Sequence, residues 1–138
     1  MTHMDFRNDG LAKWHTFVQE RDTQALADAL AEDVVFHSPV LWRSKWGKAE
    51  AMLYISAAAS VLEDFAYLRQ FHNDDGAVLE FRAHIGQIVV KGVDIIQLNA
   101  EGQISDFEVM VRPAKALEAL AAAMTQQLAL MASPEGAR

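Results

Sequence analysis

Two polar turn sequences, each set between long runs of β-forming residues, constrain this chain more than any other feature. Phe65 to His72 and Ala77 to Ile85 flank Asn73-Asp74-Asp75-Gly76, and Asn, Asp and Gly tolerate the dihedral angles a hairpin turn demands. With Asp74 and Asp75 at the turn centre, Arg69 falls opposite Glu80 and Tyr67 opposite Arg82, while Leu68 meets Phe81 on the other face. Charge meets charge and apolar meets apolar, which favours that register. A second turn, Asn99-Ala100-Glu101-Gly102, separates GVDIIQL from QISDFEVMV, and Arg112-Pro113 ends the last strand. The second half of the chain is thus a long antiparallel meander.

The first half has a different period. From Asp9, read as an N-cap, the apolar residues Leu11, Trp14, Phe17 and Val18 recur at helical spacing, and a short helix follows from Asp22 with Leu26, Ala29 and Leu30 inward. Val34 to Ser38 (VVFHS) is a short strand that bends at Pro39. A third helix runs from about Gly47 to Val61, and a closing helix opens at Pro113 with Leu117, Leu120, Met124, Leu128 and Met131 as its stripe. Segregated helices and strands make the fold class α+β. At 138 residues, with no repeat or Pro/Gly linker, one domain is expected, with its core over about 9–128 and a disordered tail at 132–138.

Composition removes several functions. A net charge of −7, with twelve scattered Lys and Arg, opposes a nucleic-acid backbone. No apolar run is long enough to cross a membrane, and MTHMDFRNDG has no signal-peptide h-region, so a cytoplasmic protein is expected. The absence of cysteine excludes disulfides, a thiolate nucleophile and Cys-bound zinc. The five histidines are dispersed at 3, 15, 37, 72 and 84, with no HxH or HExxH spacing, so no metal is expected. No GxGxxG, GxSxG or Walker sequence occurs, and motif logic therefore supports neither a nucleotide cofactor nor a serine hydrolase.

Asp94 breaks the apolar run VKGVDIIQL. Strand alternation puts it on one face with Ile96 and Leu98, and the turn at 99–102 sets it opposite Phe107, with Val109 and Val111 continuing that face. A carboxyl held against apolar surface either finds donors or keeps its proton near neutral pH, which is a property acid chemistry uses. An ion pair, a rim position or a backbone cap would account for the same aspartate without chemistry.

The order helix, helix, VVFHSPV strand, helix, long hairpins with G-x-D on one strand, then EGQI and a strand ending in Arg-Pro resembles the nuclear transport factor 2-like superfamily, and within it the SnoaL-like group. The resemblance implies a curved antiparallel sheet wrapped around helices, a cone with an apolar pocket, and a homodimer formed through the outer face of the sheet. Its members include ketosteroid isomerase, polyketide cyclases, scytalone dehydratase and limonene epoxide hydrolase, as well as proteins without known chemistry, so the fold does not assign a reaction.

In ketosteroid isomerase an aspartate matching Asp94 donates a hydrogen bond while protonated. The family's base, an aspartate before a Pro-Val pair, is matched here by Ser38, which cannot serve as that base, and its helix tyrosine is matched by Trp14, which can only donate. Four further residues enter by position. His37 is next to the missing base but on the opposite side of its strand. His84 could pair with Asp94, as histidines and an aspartate do in scytalone dehydratase. His15 could reach the pocket mouth. Tyr54 matches a pocket-lining aromatic.

The candidate acid/base residues are therefore Asp94, His37 and His84, with Trp14, His15, Ser38, Tyr54, Phe107 and Val109 as substrate contacts. The expectation is a hydrophobic small-molecule ligand and no cofactor, the reaction being an isomerisation, cyclisation or dehydration. The alternatives are a non-catalytic binding module with the same cavity and a dimeric interaction domain.

Overall fold

The structure, a computed structural model, describes residues 9–132. The expected tail at 133–138 lies outside the described residues, while Ala132 is the last residue of a helix. The elements run α1 (Asp9–Glu20), α2 (Thr23–Ala29), β1 (Leu30–His37), β2 (Lys45–Trp46), α3 (Lys48–Val61), β3 (Glu63–Asn73), β4 (Gly76–Ile85), β5 (Ile88–Leu98), β6 (Ile104–Arg112) and α4 (Ala114–Ala132). The six strands form one curved, unclosed sheet in the order β2-β1-β6-β5-β4-β3. The fold class is α+β, as the segregation of elements predicts.

Local chemistry explains most boundaries. Asp22 caps α2 by accepting from the backbone N–H groups of Gln24 and Ala25, as an N-cap carboxylate should. Leu30 starts β1 rather than ending α2, because the chain turns extended there and Leu30 is fully buried under the sheet. Gly47, at φ 93°, takes a conformation few other residues adopt, and α3 starts directly after it. Helix α4 begins at Ala114, with the Pro113 carbonyl accepting from the Leu117 N–H at 3.1 Å.

The sheet departs from a pure antiparallel meander at one seam. β1 runs parallel to β6, pairing Phe36 with Phe107. That joins the helical half of the chain to the hairpin half. The principal core lies between the inner face of the sheet and α1, α2 and α3, where Leu26, Leu30, Ile104 and Phe107 are almost fully buried. Each such side chain contributes on the order of 1.5–3 kcal/mol by leaving water.

Register determines which residues face this core, and both hairpins correct the sequence expectation. In the first, the expected pairing holds near the turn, with Asn73 opposite Gly76 and Gln70 opposite Leu79. A β-bulge between Tyr67 and Gln70 then moves the ladder by one residue, so Tyr67 meets Phe81 instead of Arg82. One residue of slip turns a side chain to the other face, and Tyr67 points inward. Arg69 still reaches Glu80 from the bulge, at 2.6 Å and 2.8 Å.

In the second hairpin Asp94 pairs with Val109, and Phe107 pairs with Ile96. The offset from the expected register is two residues, which preserves the face, so Asp94 still points the same way as Phe107, Val109 and Val111. A β-bulge between Gln97 and Leu98 supplies one residue of the offset, and the turn at Asn99 supplies the other. The Asn99 side chain accepts from the Glu101 and Gln103 N–H groups, and its own N–H donates to the Gln103 carbonyl, widening the turn.

Gly92, two residues before Asp94, lies where β5 passes beneath the Phe81 ring. A Cβ there would sit 2.4 Å from the Met110 carbonyl oxygen and 2.5 Å from the ring. Gly92→Ala should destabilise the fold by roughly 1–3 kcal/mol through overpacking. Chemical denaturation would measure it, and a neutral effect would mean that β5 and β6 can part at little cost.

Candidate functional site

The inner face of the sheet and two helices enclose a small apolar cavity. Helix α1 contributes Trp14, Phe17 and Val18, α3 contributes Ile55, Ala58 and Ala59, and the sheet contributes Phe36, Phe65, Phe81, Phe107, Val109 and Asp94. It holds about 80 Å³, room for about three water molecules. The alanines of α3 let that helix lie close to the opposite wall. Arg21 stands at the edge, in a left-handed conformation (φ 57°) just after α1, and its guanidinium donates to the Ala59 carbonyl at 2.7 Å.

Within this apolar lining Asp94 is the one carboxyl group, and it is only 5% exposed. A chain of two hydrogen bonds holds it. The Trp14 indole N–H donates to the Tyr67 hydroxyl at 2.8 Å, and that hydroxyl donates to Asp94 Oδ2 at 2.5 Å. Three separate elements, α1, β3 and β5, supply the three groups. Asp94 Oδ1 accepts from none of the described residues, and no described side-chain oxygen or nitrogen is both sealed from solvent and unpartnered. Oδ1 is therefore the oxygen open to the cavity.

Burial pushes the Asp94 carboxyl up to about 7, and the Tyr67 hydrogen bond, which favours the ionised form, holds it back from rising further. Tyr67 is pushed well above the usual phenol range, chiefly by burial and then by the adjacent Asp94 charge. It keeps its proton and acts as a donor throughout the neutral range.

The other sequence candidates divide between the cavity and the rest of the fold. Trp14, Phe107 and Val109 line the cavity with Asp94, whereas Ser38, His37, His84, His15 and Tyr54 do not. β1 ends at His37, and the Ser38 hydroxyl folds back to accept from the Val40 N–H at 3.1 Å, across the Pro39 bend. His84 does not pair with Asp94. It lies on the outer face opposite Glu63, bonded to Asp64 and to the Gly86 carbonyl, and the Asp64 hydrogen bond raises its pKa.

His15 packs edge-on against the Tyr67 ring, and burial lowers its pKa, assisted by His72. Tyr54 stacks on Phe36 beneath the Lys45 ammonium. His37 points to the outer face, bonded to Asp106 and Ser44.

Tyr67 is the residue that sequence reasoning missed. Its signal is the inward alternation Phe65-Ala66-Tyr67 opposite Phe81, which becomes legible only once the bulge is known. Among the described residues no cluster of His, Asp or Glu is arranged to hold a metal ion, and no helix is long and apolar enough to cross a membrane.

The raised Asp94 value has a thermodynamic consequence. The folded chain binds this proton more tightly than the unfolded chain, where the carboxyl titrates near 3.8. Stability from this group is therefore lost as pH climbs from about 4 to about 7 and is constant above that. Asp94→Asn cannot ionise and escapes the loss. Its stability relative to wild type should improve by roughly 2 kcal/mol between about pH 5 and about pH 8. Urea unfolding at the two pH values measures this, and a difference independent of pH would mean that Asp94 titrates alike in both states.

The model of the SnoaL-like domain matches residues 11–107 of this chain. Among solved structures, a steroid delta-isomerase from Pseudomonas aeruginosa is 38% identical, with a TM-score of 0.86 over 90% of this chain and 92% of that one. An uncharacterized bacterial protein with a cystatin-like fold from Silicibacter pomeroyi is 31% identical, with a TM-score of 0.83 over 91% and 88%. An epoxide hydrolase/cyclase-like enzyme of pyran ring formation in polyether salinomycin shares the fold at 18% identity and a TM-score of 0.64, over 78% and 92%. No curated protein matches the chain. With its α+β fold, its apolar cavity and these relatives, the chain belongs to the SnoaL-like domain family.

Proposed function

We infer that this chain is a small-molecule isomerase or cyclase in which Asp94 is the acid/base group, acting on a compact, neutral, apolar compound that carries a carbonyl or epoxide oxygen. The observation that carries this reading is the hydrogen-bond chain from Trp14 through Tyr67 to Asp94, which leaves one carboxyl oxygen facing the cavity. A group that titrates at about 7 is present as acid and as carboxylate at neutral pH, the condition under which proton transfer in both directions is efficient. Oδ1 takes a proton from the carbon beside a carbonyl and returns it at another position of the same molecule. Tyr67 supports the carboxylate stage by donating to Oδ2. The apolar lining selects against charged substrates, because nothing but Asp94 and the peripheral Arg21 would compensate their desolvation.

A single ionisable carboxyl in the cavity, with Ser38 outside it, also favours a second reading as a non-catalytic carrier with the same ligand chemistry. Both readings are tested with cyclohexanone in deuterated water. Enzyme chemistry predicts exchange of the hydrogens beside the carbonyl, observed by NMR, rising as pH passes about 7 and abolished in Asp94→Asn. Thermal stabilisation by the ketone without exchange would establish the carrier, and neither effect would overturn both readings for this ligand class.

We also propose a homodimer through the β3–β5 end of the outer sheet face, with Met110 of β6 at its border. Phe71, Val89 and Met110 are about half exposed there, and Arg69, Lys91 and Glu80 give the patch both signs of charge, so that it complements itself about a two-fold axis. Sedimentation should find a dimer that Met110→Lys weakens. A wild-type monomer at micromolar concentration would exclude it.

A further inference from the structure

The outer face of the sheet carries a second constellation, remote from the cavity, at the β2–β1–β6 edge. His37 Nε2 lies 3.0 Å from Asp106 Oδ2, and His37 Nδ1 lies 3.0 Å from Ser44 Oγ. The arrangement follows from register. Val35 pairs with Trp46 and Phe36 with Lys45, so the same antiparallel register, continued past the end of β2, sets Ser44 across from His37. On the other side the parallel ladder pairs Val35 with Asp106 and His37 with Glu108. Phe36 and Phe107 point into the core, so their neighbours His37 and Asp106 both project outward.

The hydrogen-bond polarity is determined by Asp106. A carboxylate only accepts, so neutral His37 carries its hydrogen on Nε2 and presents the lone pair of Nδ1 to the Ser44 hydroxyl. This is the order nucleophile, base, orienting carboxylate. The two ring nitrogens exchange the roles they have in hydrolase triads, but the same proton path results. Such triads are recognised by geometry and not by sequence, and no GxSxG signature is needed to form one.

We propose that Ser44, His37 and Asp106 form an acyl-transfer site for small neutral carboxylic esters. Ser44 Oγ attacks the ester carbonyl carbon as its proton passes to His37 Nδ1. The bond to the alcohol oxygen breaks, and the alcohol leaves with that proton. Water then attacks the acyl-Ser44 carbon, giving its proton to His37, and the acid departs as Ser44 regains a proton. Asp106 is a positioning residue, orienting the ring and balancing the imidazolium charge. The neighbourhood sets the substrate class. Trp46, well exposed on the same face and two residues from Ser44, offers an aromatic surface to the acyl group, while Asp106 and Glu108 repel anionic substrates.

The test is covalent labelling of the full chain with a fluorophosphonate, in which the Ser44 oxygen displaces fluoride from phosphorus, followed by peptide mapping. A single adduct on Ser44 is expected, absent in Ser44→Ala and formed about a hundredfold more slowly in His37→Gln. Hydrolysis of p-nitrophenyl butyrate should fall in parallel, and both readouts should survive Asp94→Asn, which separates this site from the cavity chemistry. No adduct on Ser44 in the folded wild type, or labelling as fast in a folded His37→Gln variant, would overturn the proposal.

Discussion

A buried carboxyl in an apolar cavity makes sense only if something pays for its desolvation, and here that is the hydrogen bond from Tyr67. Asp94 without it would face hydrocarbon on every side. Tyr67 in turn has its oxygen satisfied by the Trp14 indole, and among the described residues no side-chain oxygen or nitrogen sealed from solvent is left unpartnered. A half-satisfied network would be worse than an apolar core. The three residues come from α1, β3 and β5, and the network forms only when helix and both strands are docked. The cavity, its one carboxyl group and the packing of α1 on the sheet are thus one physical arrangement.

The bulge in β3 is what makes this arrangement attainable. The hairpin turn sets a register in which Tyr67 would point away from the core, beside Arg82. The bulge shifts the ladder by one residue and turns the phenol inward to Phe81 and Asp94, while Arg69 keeps its contact with Glu80. Bulges of this sort recur next to functional sites because they re-aim a side chain without breaking the sheet. The offset in the β5–β6 hairpin is two residues, and it leaves every side chain on its expected face. Parity, more than distance, decided which residues could meet.

The sheet also keeps two different polar constellations apart. Its inner face holds a carboxyl that burial keeps protonated up to about neutral pH. Its outer face, at the β2–β1–β6 edge, holds a partly exposed Ser, His and Asp in hydrogen-bond sequence. Adjacent residues in one strand, Phe36 and His37, serve the two sides. The alternation that makes a sheet amphipathic is sufficient to place the two proposed sites back to back.

Much of this was legible in the sequence. Periodicity and turn residues determined the α+β class, the helices, both hairpins and the inward face of Asp94, because these depend on contacts between near neighbours in the chain. Trp14, Phe107 and Val109 followed from the same alternation together with the family resemblance. The tertiary structure alone decided the partner of Asp94, the retreat of Ser38 to the Val40 N–H, and the meeting of His37 with Asp106 and Ser44. Each depends on a bulge, a strand end or a parallel seam between segments about seventy residues apart. A one-residue change of register costs little in local propensity but reverses a face, so sequence patterning determines which elements form, and packing between them determines which atoms touch.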